Sequence, residues 1–399
     1  MVPLEDMAYK PVMTRSAKPD EARTVAECRA RIAERDGAIG AFVRLAPEAP
    51  DMAPAIAVKD IIDTAGLGTE YGSPICRGHV PQEDADCVAR LKRAGYAVIG
   101  KTVTTEFAHV TPQATRNPRD PRRSPGGSSS GSAAAVAAGM VPLALGTQTG
   151  GSVIRPASYC GVFGFKSSIG RTDTAGVHEL ARSLDTVGWF ARGAEDLAAL
   201  GPVLLCDFKA TKIGRPRLAW ARTPYDSLAT PEALAAVERA GRILGADAIS
   251  LPADFGALNA LHQRIVSTEA ARAFARYPES GLSPKLREFV ALGRANEPGY
   301  AEAQELTSAF RARFDDLMTR YDALILPAAT GEAPLGLEST GDASFSLYLS
   351  LLGPPCISIP CGQGPAGMPI GVQLVGRRGR DEVPLALARE VAPLLMDQK

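Results

Sequence analysis

Apolar and polar positions along the chain follow two alternating periods. Residues 20–36 are rich in charge, yet Val25, Cys28 and Ile32 recur at helical spacing, which predicts a surface helix. The run PAIAVKDII at 54–62 is short, β-branched and almost wholly apolar. It reads as a buried strand carrying one lysine. DADCVARLKRAG at 84–95 reads as a helix, with an aspartate near its start and Gly95 just past its end, and Tyr96–Ile99 follows as a strand. Such alternation predicts an α/β sheet. Further on, AAAVAAG at 133–139 is a helix of small residues. VPLALGTQTGGS at 141–152 is a buried strand that breaks into a glycine turn.

From about 200 to 320 the chain becomes Ala- and Arg-rich, with long helical periods at 231–244, 257–276 and 299–318. This predicts a helical segment covering one side of the sheet. The α/β pattern returns in ALILP (323–327), CISIP (356–360) and IGVQLVG (370–376), with a helix from about 381.

Composition narrows the function classes. The chain is 45% hydrophobic and 22% charged, an ordinary globular balance that buries a large core. Lys plus Arg equals Asp plus Glu, 44 against 44, so neither a nucleic-acid nor a membrane partner is expected. No apolar run approaches the roughly 20 residues of a membrane helix. The opening MVPLEDMAYKPV lacks the basic start and apolar stretch of a secretory signal. Cys28, Cys76, Cys87, Cys160, Cys206, Cys356 and Cys361 include no CxxC pair, and Cys356 and Cys361 flank a predicted strand end. They read as reduced thiols of a cytoplasmic protein. His79, His109, His178 and His262 lie far apart and form no metal motif, so no metal is expected.

Two Ser-rich turns and one lysine hold the candidate chemistry. No His accompanies these turns in the sequence, which leaves a His-dependent triad without its base. A serine nucleophile must lose its proton, and a neutral lysine can accept it. Burial in an apolar strand favours neutral lysine, and Lys59 in AIAVKDII occupies such a strand. The competing reading pairs Lys59 with Asp60 or Asp63. In GTQTGGS (146–152) the glycines permit tight backbone geometry, which lets the N–H groups of Thr149, Gly150, Gly151 and Ser152 converge on one oxygen. A phosphate-binding or ordinary tight turn is the alternative there. PGGSSSGS (125–132) lies between apolar elements and feeds straight into a helix, a place where flexible linkers seldom occur.

Taken together, these segments resemble the amidase signature family across essentially the whole chain. The matching stretch is PGGSSSGSAAAVAAGMVPLALGTQTGGSVIRPASYCGVFGFKSSIGR (125–171). AVKDIIDTAG (57–66), YGSP (71–74), AGYAVIGKTVTTEFA (94–108), SLDTVGWFAR (183–192) and MPIGVQLVG (368–376) support it. Ser128 and Ser152 stand 24 residues apart, as the family pattern requires. The resemblance implies an α/β fold: a large central mixed β-sheet covered on both faces by helices. It implies one domain over 1–399, with core motif 57–192, a more helical variable segment at about 200–320 and a sheet-completing part at 321–399. It also implies Ser152 as nucleophile, Ser128 as bridging serine after a cis Gly127–Ser128 bond, Lys59 as terminal base, and no cofactor. Ser129 and Gln148 are expected to support this triad by hydrogen bonds, Gly127 and Tyr71 to line the substrate site, and Glu106 to brace the fold. His109 and His178 read as structural. The variable pocket is expected from 262–300 and 329–350. A homodimer is implied as a possibility.

One departure from the common family pattern is informative. Many members carry GTDxGGSIR, whereas this chain has GTQTGGSVIR, so Arg155 lies three positions after Ser152. On a helix, i and i+3 share a face, which leans Arg155 toward the pocket of Ser152. An arginine there suits a substrate carboxylate. The arrangement is similar to the malonamidase-type branch, which acts on small amides bearing a carboxylate. The expected function is hydrolysis of a small, malonamate-like amide. The alternatives are a neutral or aryl amide, a hydrazide or a biuret-like compound, or service as the amidase subunit of a tRNA-dependent amidotransferase.

Overall fold

The computed structural model describes residues 23–109 and 111–396. Eleven strands form one sheet: β1 Phe42–Leu45, β2 Ala55–Lys59, β3 Ala97–Thr102, β4 Leu143–Gln148, β5 Phe163–Lys166, β6 Thr186–Ala191, β7 Leu218–Arg222, β8 Asp247–Ser250, β9 Ala323–Pro327, β10 Cys356–Gln363 and β11 Pro369–Gly376. Their order is β1-β3-β2-β4-β6-β5-β10-β11-β9-β7-β8. The first helices are α1 Val25–Ile39, α2 Asp86–Arg93, α3 Ser130–Ala137 and α4 Ile154–Cys160. Next come α5 Ala194–Ala199, α6 Gly201–Leu204, α7 Pro231–Leu244 and α8 Leu258–Phe274. The last are α9 Pro284–Asn296, α10 Tyr300–Leu317, α11 Ser344–Leu352 and α12 Glu382–Met396.

Pairing is mixed. β2 runs parallel to β3 and to β4, while β4 with β6, and β10 with β5 and β11, run antiparallel. Successive strand side chains point to opposite faces, and β2 shows what this does to the core. Its Ile56 and Val58 join the large cluster that includes Val88 and Leu91 of α2. Its Ala55 and Ala57 join a second cluster, with Val25, Cys28 and Ile32 of α1 and Ala133–Val136 of α3. Small residues on both partners bring α3 close against the alanine face, which is also the face of Lys59. Of the predicted helix over 20–36, residues 20–22 lie outside the described residues and the rest appears as α1, which starts at Val25 and is closed by a Thr24–Glu27 capping box and by Gly40 in the left-handed region (φ 67°).

Three expectations are corrected. The segment at about 200–320 is not wholly helical, because it supplies β7 and β8 to the far edge of the sheet. Both strands are short and β8 is largely exposed, so neither shows the apolar run or clean alternation that marks a strand. Cys356 and Cys361 do not flank a strand end; both lie within β10, as free thiols. Ser152 is not on a helix, since α4 begins at Ile154. No helix among the described residues is long and apolar enough to cross a membrane.

Candidate active site

Parallel pairing builds the base of the site. The register Val58↔Leu145 between β2 and β4 carries Lys59, at the end of β2, alongside Gly146 and Thr147. Lys59 is completely buried, and its Nζ lies 2.8 Å from Ser128 Oγ and 2.8 Å from Thr147 Oγ1. Neither neighbouring aspartate is its partner. Asp60 instead accepts from the Glu70 N–H at 3.2 Å, and Asp63 accepts from the Tyr71 hydroxyl at 2.8 Å. Burial drives the Lys59 pKa well below the usual lysine range, against a weaker opposing pull from Asp185. The ammonium is therefore disfavoured where the amine meets Ser128.

The Gly127–Ser128 peptide bond is cis, and Ser128 is 2% exposed. Ser129 supports the site at one remove. Its hydroxyl donates to the Thr147 carbonyl at 3.3 Å and accepts the Thr147 N–H at 3.4 Å, steadying the residue that shares Lys59 with Ser128. Gly146 makes this approach possible: a Cβ there would meet Phe190 Cε2 at 2.7 Å and Ser129 Oγ at 2.9 Å.

The turn after β4 is fixed through its carbonyls. The Gln148 carbonyl accepts from Thr186 Oγ1 at 2.8 Å, and the Thr149 carbonyl from His262 Nε2 at 2.9 Å. The Gly150 carbonyl accepts from the Ser350 hydroxyl, and the Gly151 carbonyl from the Arg155 N–H at 3.1 Å. In a trans peptide the C=O of one residue and the N–H of the next point in opposite directions. Each of the N–H groups of Thr149, Gly150, Gly151 and Ser152 therefore points away from the partner of the carbonyl that precedes it, and these four residues border one cavity. Gln148 does not touch Lys59 or the serines, contrary to its expected role. Its Oε1 accepts the N–H groups of Val153 and Ile154 at 2.8 and 3.0 Å, capping the start of α4, and its Nε2 donates to Ser350 Oγ at 3.0 Å. Asp185 holds the same turn from the side, accepting from Thr149 Oγ1 and from the N–H groups of Leu180 and Ala181 at 2.9 and 3.0 Å. Burial pushes its carboxyl up to about 6 despite these bonds.

The cavity has a volume of about 420 Å³. Ser128, Ser152 and Arg155 lie on it together, along with Val266 of α8, Phe289 of α9 and Leu347 of α11. Its lining residues between His262 and Leu292, which include Lys285 and Glu288, and Ala343 and Leu347 further on, fall within the two stretches expected to supply the variable pocket. Arg155 is 6% exposed and makes no salt bridge among the described residues. One of its Nη atoms donates to the Gly127 carbonyl at 2.6 Å and to Thr340 Oγ1 at 3.1 Å, while its Nε is buried without a partner. Gly127 thus contributes a carbonyl that holds Arg155. Tyr71 is not on the cavity. Its φ of 55° places it in a tight turn, and its hydroxyl is taken by Asp63 and, at 2.9 Å, by His79. Glu106 braces the fold as expected, accepting from the Ser73 hydroxyl at 3.0 Å and the Ser283 N–H at 3.4 Å. His109 lies on the cavity wall, with its ring 4.2 Å from that of Phe289. His178 packs away from the cavity, against Tyr277 and Arg276.

Sequence reasoning gave no role to Thr147, Asp185, His262 or Ser350. Thr147 and Asp185 lie inside the matching stretches, where a polar residue in an apolar strand or at its edge was the available signal. His262 and Ser350 carry no local signal, because only packing of α8 and α11 against the turn gives them their partners.

Residues 54–220 and 234–385 match the Amidase family. In Thermus thermophilus, one of the subunits of glutamyl-tRNA(Gln) amidotransferase is 35% identical over 422 residues, covering 88% of this chain and 89% of that protein. A solved amidase structure superposes with a TM-score of 0.84 at 29% identity, covering 93% of this chain and 95% of the other. A second structure is described as part of an unexpected vestigial protein complex that reveals the evolutionary origins of an s-triazine catabolic enzyme. It superposes at 0.83 with 29% identity, over 92% of this chain and 94% of its own. The motifs, the mixed sheet and these likenesses converge on one conclusion: the chain belongs to the amidase signature family and is an amide-hydrolysing enzyme.

Proposed function

We propose that the chain hydrolyses a small amide bearing a free carboxylate, with Ser152 as nucleophile, Ser128 as proton bridge and Lys59 as terminal base. Ser152 Oγ attacks the amide carbon as its proton passes through Ser128 to the neutral Lys59 amine. The carbonyl oxygen takes the negative charge, facing the N–H groups of Thr149, Gly150, Gly151 and Ser152. The proton returns to the leaving nitrogen, the C–N bond breaks, and an ester on Ser152 remains. Water then attacks that ester by the same relay, releasing the acid.

The substrate reading is carried by Arg155, a buried guanidinium on the cavity wall with no carboxylate paired to it among the described residues. A buried cation without an ion-pair partner is costly, and an anionic substrate group in the cavity compensates it. Val266, Phe289 and Leu347 are apolar parts of that wall, and its other charged side chains, Lys285 and Glu288, are exposed, so Arg155 is the buried cation the site offers to a charged group near Ser152. Ammonia release from matched amides with and without a carboxylate tests this reading. A preference for the carboxylated member is expected, and a preference for the neutral member refutes it.

A second reading has its own support. The relative from Thermus thermophilus belongs to an amidotransferase, and the chain covers most of it. A chain of that kind delivers ammonia to a partner, so co-purification with partner proteins and hydrolysis of glutamine on demand would favour it over a stand-alone hydrolase.

A further inference from the structure

The turn carrying Ser152 is held by a histidine outside the matching motifs, which borders the same cavity. His262 lies on α8, is 2% exposed, and donates from Nε2 to the Thr149 carbonyl at 2.9 Å. A carbonyl oxygen only accepts, so the ring proton sits on Nε2. Burial pushes the pKa of His262 down to about 4, which leaves the ring neutral, and Nδ1 is buried without a partner. The ring packs directly against the turn: a Cβ on Gly150 would lie 3.5 Å from His262 Cε1. Val266, one helical turn further along α8, lines the substrate cavity. The peptide plane transmits the contact. Holding the Thr149 oxygen toward α8 fixes the Gly150 N–H in the opposite direction.

We propose that His262 is a positioning residue for acyl transfer, holding the Thr149–Gly150 peptide so that the Gly150 N–H meets the oxygen of the tetrahedral intermediate. The inference rests on Ser152 as nucleophile and is independent of the substrate carboxylate. Negative charge develops on that oxygen only as the Ser152–carbon bond forms, so a fixed donor acts on the transition state more than on bound substrate. Losing the fixation therefore lowers kcat and leaves KM nearly unchanged. Ser350 holds the next carbonyl separately, so the Gly151 N–H keeps its direction when His262 is lost.

The test compares His262→Phe, which keeps a ring but has no donor, with His262→Gln, whose amide nitrogen reaches the place of Nε2. Two rates are read: amide turnover, and labelling of Ser152 by a fluorophosphonate. In the labelling reaction Ser152 Oγ bonds to phosphorus, fluoride leaves, the hydroxyl proton passes to the base, and the phosphoryl oxygen occupies the oxyanion position. His262→Phe is expected to slow both rates roughly 10- to 100-fold with KM within about threefold, and His262→Gln to recover most of the loss. Wild-type labelling by His262→Phe, or equal slowing in both variants, overturns the proposal. If His262→Phe does not fold, His262→Asn replaces it, since its amide reaches only the place of Nδ1. Asn slower than Gln then supports the proposal, and equal rates overturn it. A wild type that does not label at Ser152 removes the nucleophile assignment and this inference together. A labelled wild type with an equally fast His262→Phe removes this inference alone.

Discussion

An Nη atom of Arg155 donates to the Gly127 carbonyl at 2.6 Å, tying the residue three positions after Ser152 to the residue immediately before Ser128. The two Ser-rich turns are thus joined by the side chain that also presents a positive charge to the cavity. Arg155→Ala is expected to reduce kcat/KM for a carboxylated amide by roughly 10- to 100-fold, the effect of losing a hydrogen bond to a charged group. A neutral amide should lose much less. Equal losses for both substrates would make Arg155 a brace between the turns and nothing more.

Lys59 sets the acid limb of the pH profile. Its folded pKa lies well below the ordinary lysine value, so it is neutral above that lowered pKa and charged below it. The rate should therefore rise with pH through the folded pKa and then level off. Lys59→Ala should lose most of the rate and flatten that limb, and a near-wild-type rate in this variant would remove the relay from consideration.

Ser152→Ala is expected to retain the fold, because the side chain it removes is small and borders a cavity. Turnover should fall by roughly 10⁴-fold or more, with no acyl-enzyme detectable by intact-protein mass spectrometry after rapid quench. An adduct on this variant would place the nucleophile elsewhere.

Asp185 should leave a mark on stability. Its carboxyl is raised by burial from 3.8 to about 6, so the folded state holds the proton more tightly than the unfolded chain. That contribution is fully present below the unfolded pKa and is lost as pH rises through about 6. Denaturation midpoints across this window should decline for wild type and decline less for Asp185→Asn. Parallel curves would show that Asp185 titrates alike in both states.

Gly146→Ala should destabilise by about 1–3 kcal/mol, the usual cost of overpacking a filled site. The new Cβ would meet the Phe190 ring and the Ser129 hydroxyl. Chemical denaturation reads the loss, and unchanged stability would mean that β4 and Ser129 have room to separate.

Much of this protein was legible before any fold was known. Local periodicity is a property of neighbouring residues, so α1, β2, α7, β9 and β11 could be read from it, as could the small residues of α3 that permit close packing. The spacing of Ser128 and Ser152 and the single lysine in AIAVKDII were equally plain, because contiguous stretches of sequence carry the resemblance to the family pattern. The partners of those residues emerged only from the packed molecule. Whether Lys59 faced Asp60 or Ser128 depended on the β2–β4 register, a non-local pairing with no signature in either strand. Tyr71 was expected at the cavity, but a φ of 55° turned it toward Asp63 and His79. Gln148 capped a helix, and His262 became a clamp because α8 packs beside the turn across 113 residues of chain. Hydrogen-bond geometry of this kind follows from where the backbone carbonyls point, and that direction is set by the folded core as a whole.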